Sequence, residues 1–488
     1  MTNLHLLLFL GVIPPLAASL GKEFRGKDSE SDWWRFEKAY PRQLVALRAP
    51  PNGIRIDGKL DADEWGAFEE EEFNFQDIAQ PIHPDTRIPS EFQTAVKVRF
   101  DEEYFYVGAV LREPFIWGSI VGHNENLTGH RAPYFNTDFE AFFDVSGTGH
   151  FYKEFEMNVR NATYDILWRV ADGGFTSIGV PCDNGDARWC QNSTYNRNSG
   201  MPGEQSWTMK GGSTGLKTAT YYGGYANEAY CPFTRSSATK YWSVEAAFPL
   251  KSRPGKHGGL LDGGDGLDFS RFDPNVNDGV FWFVDFARTQ HPLLTIGSDA
   301  PSQVSNFGSA EYDEMCAKLQ KEHPTLLGTD EWSCYWSWVL QPLRGTHYLH
   351  NPALWAMVEF QSSKKGDGLT YNPQWPVRYI LQMYLQAQIR YSLAHRGVYA
   401  KNMSQVLSAK YCNVSSACNL ADLSRIASSD DGIFRVSTRI DESGSCVDYI
   451  SAKPYGASCL NISVTFRPPT DSGEIIGYIT GDRFMFVK

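Results

Sequence analysis

Apolar and polar residues alternate through Val96-Lys97-Val98-Arg99-Phe100. The pattern breaks at Asp101-Glu102-Glu103 and resumes through Tyr104-Phe105-Tyr106-Val107. Alternation with period two puts successive side chains on opposite faces of a strand, so the two runs and the acidic turn predict a β-hairpin. The same pattern predicts strands over 139–144, 151–159, 165–170, 241–248, 280–288 and 355–360. Gly-, Ser- and Asn-rich stretches at 173–215 and 253–279 read as loops between them. Many short strands without intervening helices predict a mainly β fold. The expected architecture is an antiparallel β-sandwich over 46–361, of immunoglobulin or jelly-roll type.

Near Asn372 the period changes. Ile380, Tyr384, Ala387 and Tyr391 follow helical spacing, Pro376 suits a first helical turn, and Gly397 suits a stop. Strand-like runs then return at 434–440, 462–466 and 474–480. Residues 372–488 are therefore expected to form a small α+β unit, one helix on a short antiparallel sheet.

The first twenty residues read as an export signal. Leu6 to Leu10, with Val12 and Ile13, form a short apolar run, and Ala17-Ala18-Ser19 offers small residues for cleavage. No Lys or Arg precedes the run, which departs from the usual leader, and a buried N-terminal helix is the competing reading. Sequons stand at Asn126, Asn161, Asn192, Asn402, Asn413 and Asn461, as candidate N-glycosylation sites. The nine cysteines fit an oxidising compartment. Their spacing suggests local disulfides, Cys182 with Cys190, Cys316 with Cys334, Cys412 with Cys418 and Cys446 with Cys459, which leaves Cys231 odd. No Cys/His spacing points to zinc. No later apolar run approaches the ~18 residues of a membrane span, and 484–488 lacks a lipid-anchor tail. The expectation is a secreted, extracellular glycoprotein.

With 57 acidic against 45 basic residues the chain carries −12, and it has no Lys/Arg block. That combination argues against binding a nucleic-acid backbone. An apolar content of 42% argues against a largely disordered chain. Aromatics reach 14%; much of this suits a sandwich core, and Trp and Tyr are also residues on which flat sugar faces stack.

Several segments in order carry a family likeness. Ile56-Asp57-Gly58-Lys59-Leu60-Asp61 with Trp65 comes first, followed by the hairpin at 96–110 and Asp138-Phe139-Glu140-Ala141-Phe142-Phe143-Asp144. Tyr152-Lys153-Glu154-Phe155-Glu156-Met157-Asn158, Trp242-Ser243-Val244-Glu245-Ala246, Asp285-Phe286-Ala287-Arg288, Trp336-Ser337-Trp338 and His350-Asn351-Pro352 with Trp355 complete the series. Together they resemble family 9 carbohydrate-binding modules over roughly 50–360, and Trp375-Pro376-Val377-Arg378 and Tyr399-Ala400 resemble the helical extension of a longer secreted branch. The resemblance implies an antiparallel sandwich that binds polysaccharide or oligosaccharide, often at chain ends, without catalysis. It admits structural calcium and implies no other cofactor.

Carried over by position, the candidate sugar contacts are Tyr134, Glu140, Glu154, Asn158, Arg288, Trp336, Trp338 and His350. Three departures stand out. Tyr134 occupies the place of a stacking Trp, Tyr348-Leu349-His350 falls where a second stacking Trp is usual, and Asp285 replaces an Asn. Strand periodicity points the same way: Tyr152, Glu154, Glu156 and Asn158 share one face of 151–159, and Phe151, Phe155 and Val159 share the other. The bland alternative is a solvated face with a few ion pairs.

Other classes stay open at this point. Two suitably spaced carboxylates among Glu140, Glu154 and Glu245 would serve a glycoside hydrolase. Met157, Met357, His347 and His350 lack any distinctive haem-ligand spacing. The Gly/Asp-rich run at 258–266 lacks a phosphate-loop lysine, although its Asp residues suit a calcium loop. An adhesion or scaffold module that has lost its sugar site completes the alternatives.

Overall fold

The structure, a computed structural model of the chain, describes residues 34–77, 88, 90–113, 116, 118, 120–123, 127, 132–168, 215–223, 239–251, 259–262, 274–290, 334–337, 349, 352, 355–363, 370–396, 398–409, 420–441, 446–447, 454–455, 459–469, 473–481 and 484–488. The leader, Asn126, Asn192, Asn413, Trp338 and His350 lie outside them, as do the side chains of all nine cysteines and of Trp336.

The first part contains β1 (Gln43–Arg48), the one-turn helix α1 (Ala62–Trp65), β2 (Gln76–Asp77), β3 (Thr94–Phe100), β4 (Tyr104–Arg112), β5 (Asp138–Asp144) and β6 (Tyr152–Asn158). It continues with β7 (Thr163–Trp168), β8 (Lys217–Tyr221), β9 (Tyr241–Pro249), β10 (Phe281–Gln290), β11 (Cys334–Ser337) and β12 (Ala356–Gln361). Ten strands follow one path, β7-β6-β5-β10-β12-β1-β3-β4-β9-β8, while β11 pairs with β10 and β2. The path curls until its two halves face each other. Phe143 of β5 lies 5.9 Å from Phe105 of β4 and 5.0 Å from Phe248 of β9, and Phe155 of β6 also meets Phe248 at 5.0 Å. This is the expected β-sandwich.

Alternation accounts for its core. Phe139, Ala141 and Phe143 turn inward from β5, Phe155 and Met157 from β6, and Trp282, Val284 and Phe286 from β10. Each large side chain buried this way contributes about 1.5–3 kcal/mol. Among the described strands two pairings depart from an antiparallel sandwich: β1 runs parallel to both of its neighbours, β12 and β3. Alternation does not mark β8, because its Thr-Ala-Thr centre is half-buried on both faces.

The second part holds α2 (Trp375–Ala394), α3 (Met403–Ala409), α4 (Leu420–Ser428), β13 (Phe434–Asp441), β14 (Cys446–Val447), β15 (Pro454–Tyr455), β16 (Cys459–Phe466), β17 (Ile475–Thr480) and β18 (Met485–Val487). Its main sheet has the order β13-β16-β17-β18, antiparallel throughout. Val377, Ile380, Leu381 and Tyr384 of α2 share a core with Leu460, Ile462, Val464 and Ile479 of the sheet. The small α+β unit thus forms, with two more helices than its periodicity suggested. The short α4 buries only Leu423 and Ile426, too few positions to stand out in sequence. Trp34 and Phe36, which precede both expected segments, pack in this second core.

Arg378 joins the two parts. Its Nη1 donates to the Gly147 carbonyl at 2.7 Å, and its guanidinium sits 4.5 Å from the Phe283 ring centre. Burial pulls Arg378 down to about 10, against the opposing charge of Asp144. The Met485 amide donates to Thr148 at 2.8 Å, and Phe484 meets His150 edge-on.

Candidate functional site

The outward face of β10, β5, β6 and β7 carries an unusual concentration of acid. Register sets Glu140 opposite Glu156, Asp138 opposite Asn158, and Phe142 opposite Glu154, with Ala287 of β10 beside Glu140. Directly opposed residues share a face, so Asp138, Glu140, Glu154 and Glu156 stand together. All four are buried, at 5% exposure or less.

Asp138, Glu140 and Glu156 each accept a hydrogen bond from a neighbouring element. Thr289 donates its amide to Asp138 at 3.1 Å and its hydroxyl to Glu140 at 2.8 Å, and the Tyr134 amide donates to Glu156 at 3.2 Å. Asp138 Oδ2 is buried with no hydrogen-bond partner. Burial first, then the charges of Glu140 and Glu154, holds Asp138 well above the ordinary carboxylate range, against the Thr289 amide and Arg288. Burial pushes Glu140 up to about 7 despite the Thr289 hydroxyl. Glu156 is raised by burial and then by Glu154, Asp138 and Glu140 in turn. Charged carboxyls in contact disfavour one another's ionisation, and burial acts in the same direction.

Aromatic side chains close one end of the face. Trp355 meets Tyr152 edge-on at 5.1 Å and Phe142 at 5.6 Å, and its indole N–H donates to the Leu349 carbonyl at 2.8 Å. Tyr134 stands at the other end in a short 3-10 turn, Pro133–Phe135, and is half-buried. Asp285, on the same face of β10, has its own cation: Arg42, which burial lowers to about 10, is raised in turn by Asp285.

The sequence-derived candidates fall in several places. Tyr134, Glu140 and Glu154 lie on or beside the acidic face. Asn158 lies there too, but its amide is fully engaged. Its Nδ2 donates to Ile120 O and Asn136 Oδ1, and its Oδ1 accepts from the amides of Arg160 and Ala162, all within 3.1 Å. Arg288 points the other way, into the sandwich with Phe286. There it is fully buried, ion-paired with Glu113 at 2.8 Å and donating to the carbonyls of Phe92 and Arg112. Trp336 is placed by backbone alone, opposite Arg288 on β11.

Glu245, a candidate for catalysis by sequence, belongs to the opposite layer, where Gly58 and Asp57 donate amides to it. Asp138, Glu156 and Thr289 were not among the candidates. Their signal is the strand register, which sequence spacing does not reveal.

Among the described residues no three His, Cys, Asp or Glu side chains are grouped to hold a metal ion. In the Gly/Asp-rich run, the carbonyls of Gly259, Leu260 and Asp262 accept from Lys153 Nζ, so oxygens of the kind calcium takes are turned onto an ammonium. Among the described residues no helix is long and apolar enough to cross a membrane.

No protein-family model and no curated protein matches the chain. Among solved structures, a family 9 carbohydrate-binding module from Caldicellulosiruptor kristjanssonii in complex with glucose aligns over 67% of this chain and 100% of its own, at 11% identity and TM-score 0.29. A family 9 module from the same organism in complex with cellotriose aligns over 68% and 100%, at 12% identity and TM-score 0.30. A candidate carbohydrate-binding protein from Bacteroides uniformis aligns over 66% and 100%, at 12% identity and TM-score 0.32. Superpositions this loose bear on neither ligand nor site.

Proposed function

We propose that the acidic face of β5, β6 and β10 binds carbohydrate without catalysis. The observation that carries this reading is the gathering of four buried carboxyls, Asp138, Glu140, Glu154 and Glu156, on one face. Asp138 Oδ2 has no partner, and Glu140, Glu154 and Glu156 face one another. A sugar supplies several hydroxyl groups from one rigid ring, and a carboxyl group can accept from them in either protonation state and donate to them when protonated. Tyr134 beside the acids offers an aromatic face for stacking. The export-like leader and the sequons favour a secreted glycoprotein that recognises polysaccharide outside the cell, in support of its breakdown.

Isothermal titration against a panel of oligosaccharides tests the reading, beginning with glucose and cellotriose, the sugars held by the two modules above. Saturable binding that is lost in Glu140→Gln supports it. Release of reducing ends during the same incubation would make the protein a hydrolase. No binding to any glycan would leave the adhesion or scaffold reading.

A further inference from the structure

Among the described residues the small sheet is covered on one face, by α2. On the other face, register aligns Ser437, Ser463, Tyr478 and Phe486 in one row across all four strands, with Arg439, Asn461 and Thr480 in the next. Among the described residues three large apolar side chains are exposed, and Tyr478, at 46%, is the one aromatic among them. An aromatic ring open to solvent in mid-sheet is a surface that ordinarily finds a cover.

Asn461 starts the sequon Asn461-Ile462-Ser463. Ile462 is fully buried under α2, so its neighbour Asn461 stands on the open face. Thr480 is its direct partner on β17, which makes Tyr478 the diagonal neighbour, about 7–8 Å away and within reach of an aromatic side chain. The other described sequons are built differently. Asn161 sits in a turn with left-handed backbone (φ 58°) and bonds to Thr218, and Asn402 accepts from the Gln405 amide at the start of α3.

We propose that Asn461 carries an N-linked glycan whose first N-acetylglucosamine stacks on Tyr478, so that the chain's own sugar covers the open face of this sheet. The proposal rests on the secretory part of the functional reading and is independent of the acidic face. In the modification, Asn461 Nδ2 bonds to C1 of an oligosaccharide carried on a lipid pyrophosphate. The C1–O bond breaks, the amide gives up one proton, and the lipid pyrophosphate leaves.

The full chain is produced in a secretory eukaryotic host, and every sequon is mapped by peptide mass spectrometry. Asn461 is expected to be occupied. Asn461→Gln is expected to lower Tm by about 2–6 °C in the wild-type background, the shift that one aromatic contact gives a unit of this size, and by less than ~1 °C beside Tyr478→Ala. The N-acetyl methyl resonance should be displaced by the ring current in the wild type and return to its ordinary position in Tyr478→Ala.

Equal Tm losses in both backgrounds overturn the proposal. So does a bare Asn461 while Asn161 or Asn402 is glycosylated, or a dimer that Tyr478→Ala dissolves. Bare sequons throughout overturn it together with the secretory reading, while sugar titration on the same sample judges the acidic face separately.

Discussion

The indole N–H of Trp65 donates to Glu245 Oε1 at 2.8 Å, across 180 residues of sequence. The other carboxylate oxygen takes the Asp57 and Gly58 amides at 2.9 and 2.7 Å. The most distinctive motif of the chain is therefore a clamp on the outer face of β9, far from the acidic face. Gly58 is held at φ 86°, and a Cβ there would fall 2.3 Å from the Thr220 carbonyl carbon. Trp65→Phe should cost about 1–3 kcal/mol through the donor lost to a buried acceptor. Gly58→Ala should be worse, because strain and clash add. Denaturant titration measures both, and an unchanged midpoint in Trp65→Phe would count against the clamp.

Two substitutions separate the faces of the sandwich. Tyr134→Ala should weaken sugar binding by about 1–3 kcal/mol while leaving the fold intact. Phe155→Ala should remove about 3–5 kcal/mol of stability, since the ring is fully buried against Phe248. Unfolding of Tyr134→Ala with residual binding would move the site elsewhere.

Stability should depend on pH through Glu140. Its folded pKa of about 7 lies above the ordinary 4.5, so the folded state holds the proton more tightly. Its contribution is complete below about 4.5 and disappears as pH rises through about 7. Asp138 and Glu156 are shifted in the same direction. Tm measured between pH 4.5 and 7 should fall, and Glu140→Gln should flatten the slope. A wild-type Tm that rises over this window would contradict the assignment.

Lys153 Nζ holds the carbonyls of Gly259, Leu260 and Asp262 at 3.1, 2.6 and 2.5 Å. Lys153→Met strands buried acceptors and should cost about 3 kcal/mol. Burial lowers this lysine to about 7 from 10.5, so its contribution is present above 10.5 and lost as pH falls through 7. The rise in stability from pH 7 to 10 should be smaller in Lys153→Met. An identical profile in the variant would exclude Lys153 as its source.

Peptide mapping of unreduced protein from a secretory host should find Cys412 joined to Cys418 and Cys446 to Cys459, and should find the first ~18–21 residues removed. Free thiols at these four positions and an intact Met1 would refute the secretory reading.

The strands of the core were legible because burial on one face imposes period two. Phe139, Ala141 and Phe143, or Trp282, Val284 and Phe286, announce both strand and inward face. Arg288 shares its parity on β10 with Trp282 and lies inside, where the structure and not the family match puts it. The site was legible only in part. Glu140 and Glu154 could be read from one strand each, but their confrontation with Asp138 and Glu156 arises from register. The Arg42 that balances Asp285 lies more than 200 residues away, and no local pattern joins them. Asn158 looked like a ligand because it is polar on a polar face, yet its four hydrogen bonds are all to the protein.

The parallel seating of β1 has a consequence for how the chain is made. Gln43 and its neighbours are synthesised early, but their partner on one side, around Met357, follows about 300 residues later. At ordinary ribosomal rates that is a delay of about 15–60 s, during which β1 has an unsatisfied edge. Trp34 and Phe36 wait longer still, for a core completed by Ile479 and Val487. Nascent chains should therefore need holding by chaperones until nearly the whole sequence has emerged, and premature termination anywhere before β12 leaves an aggregation-prone product rather than a shorter domain.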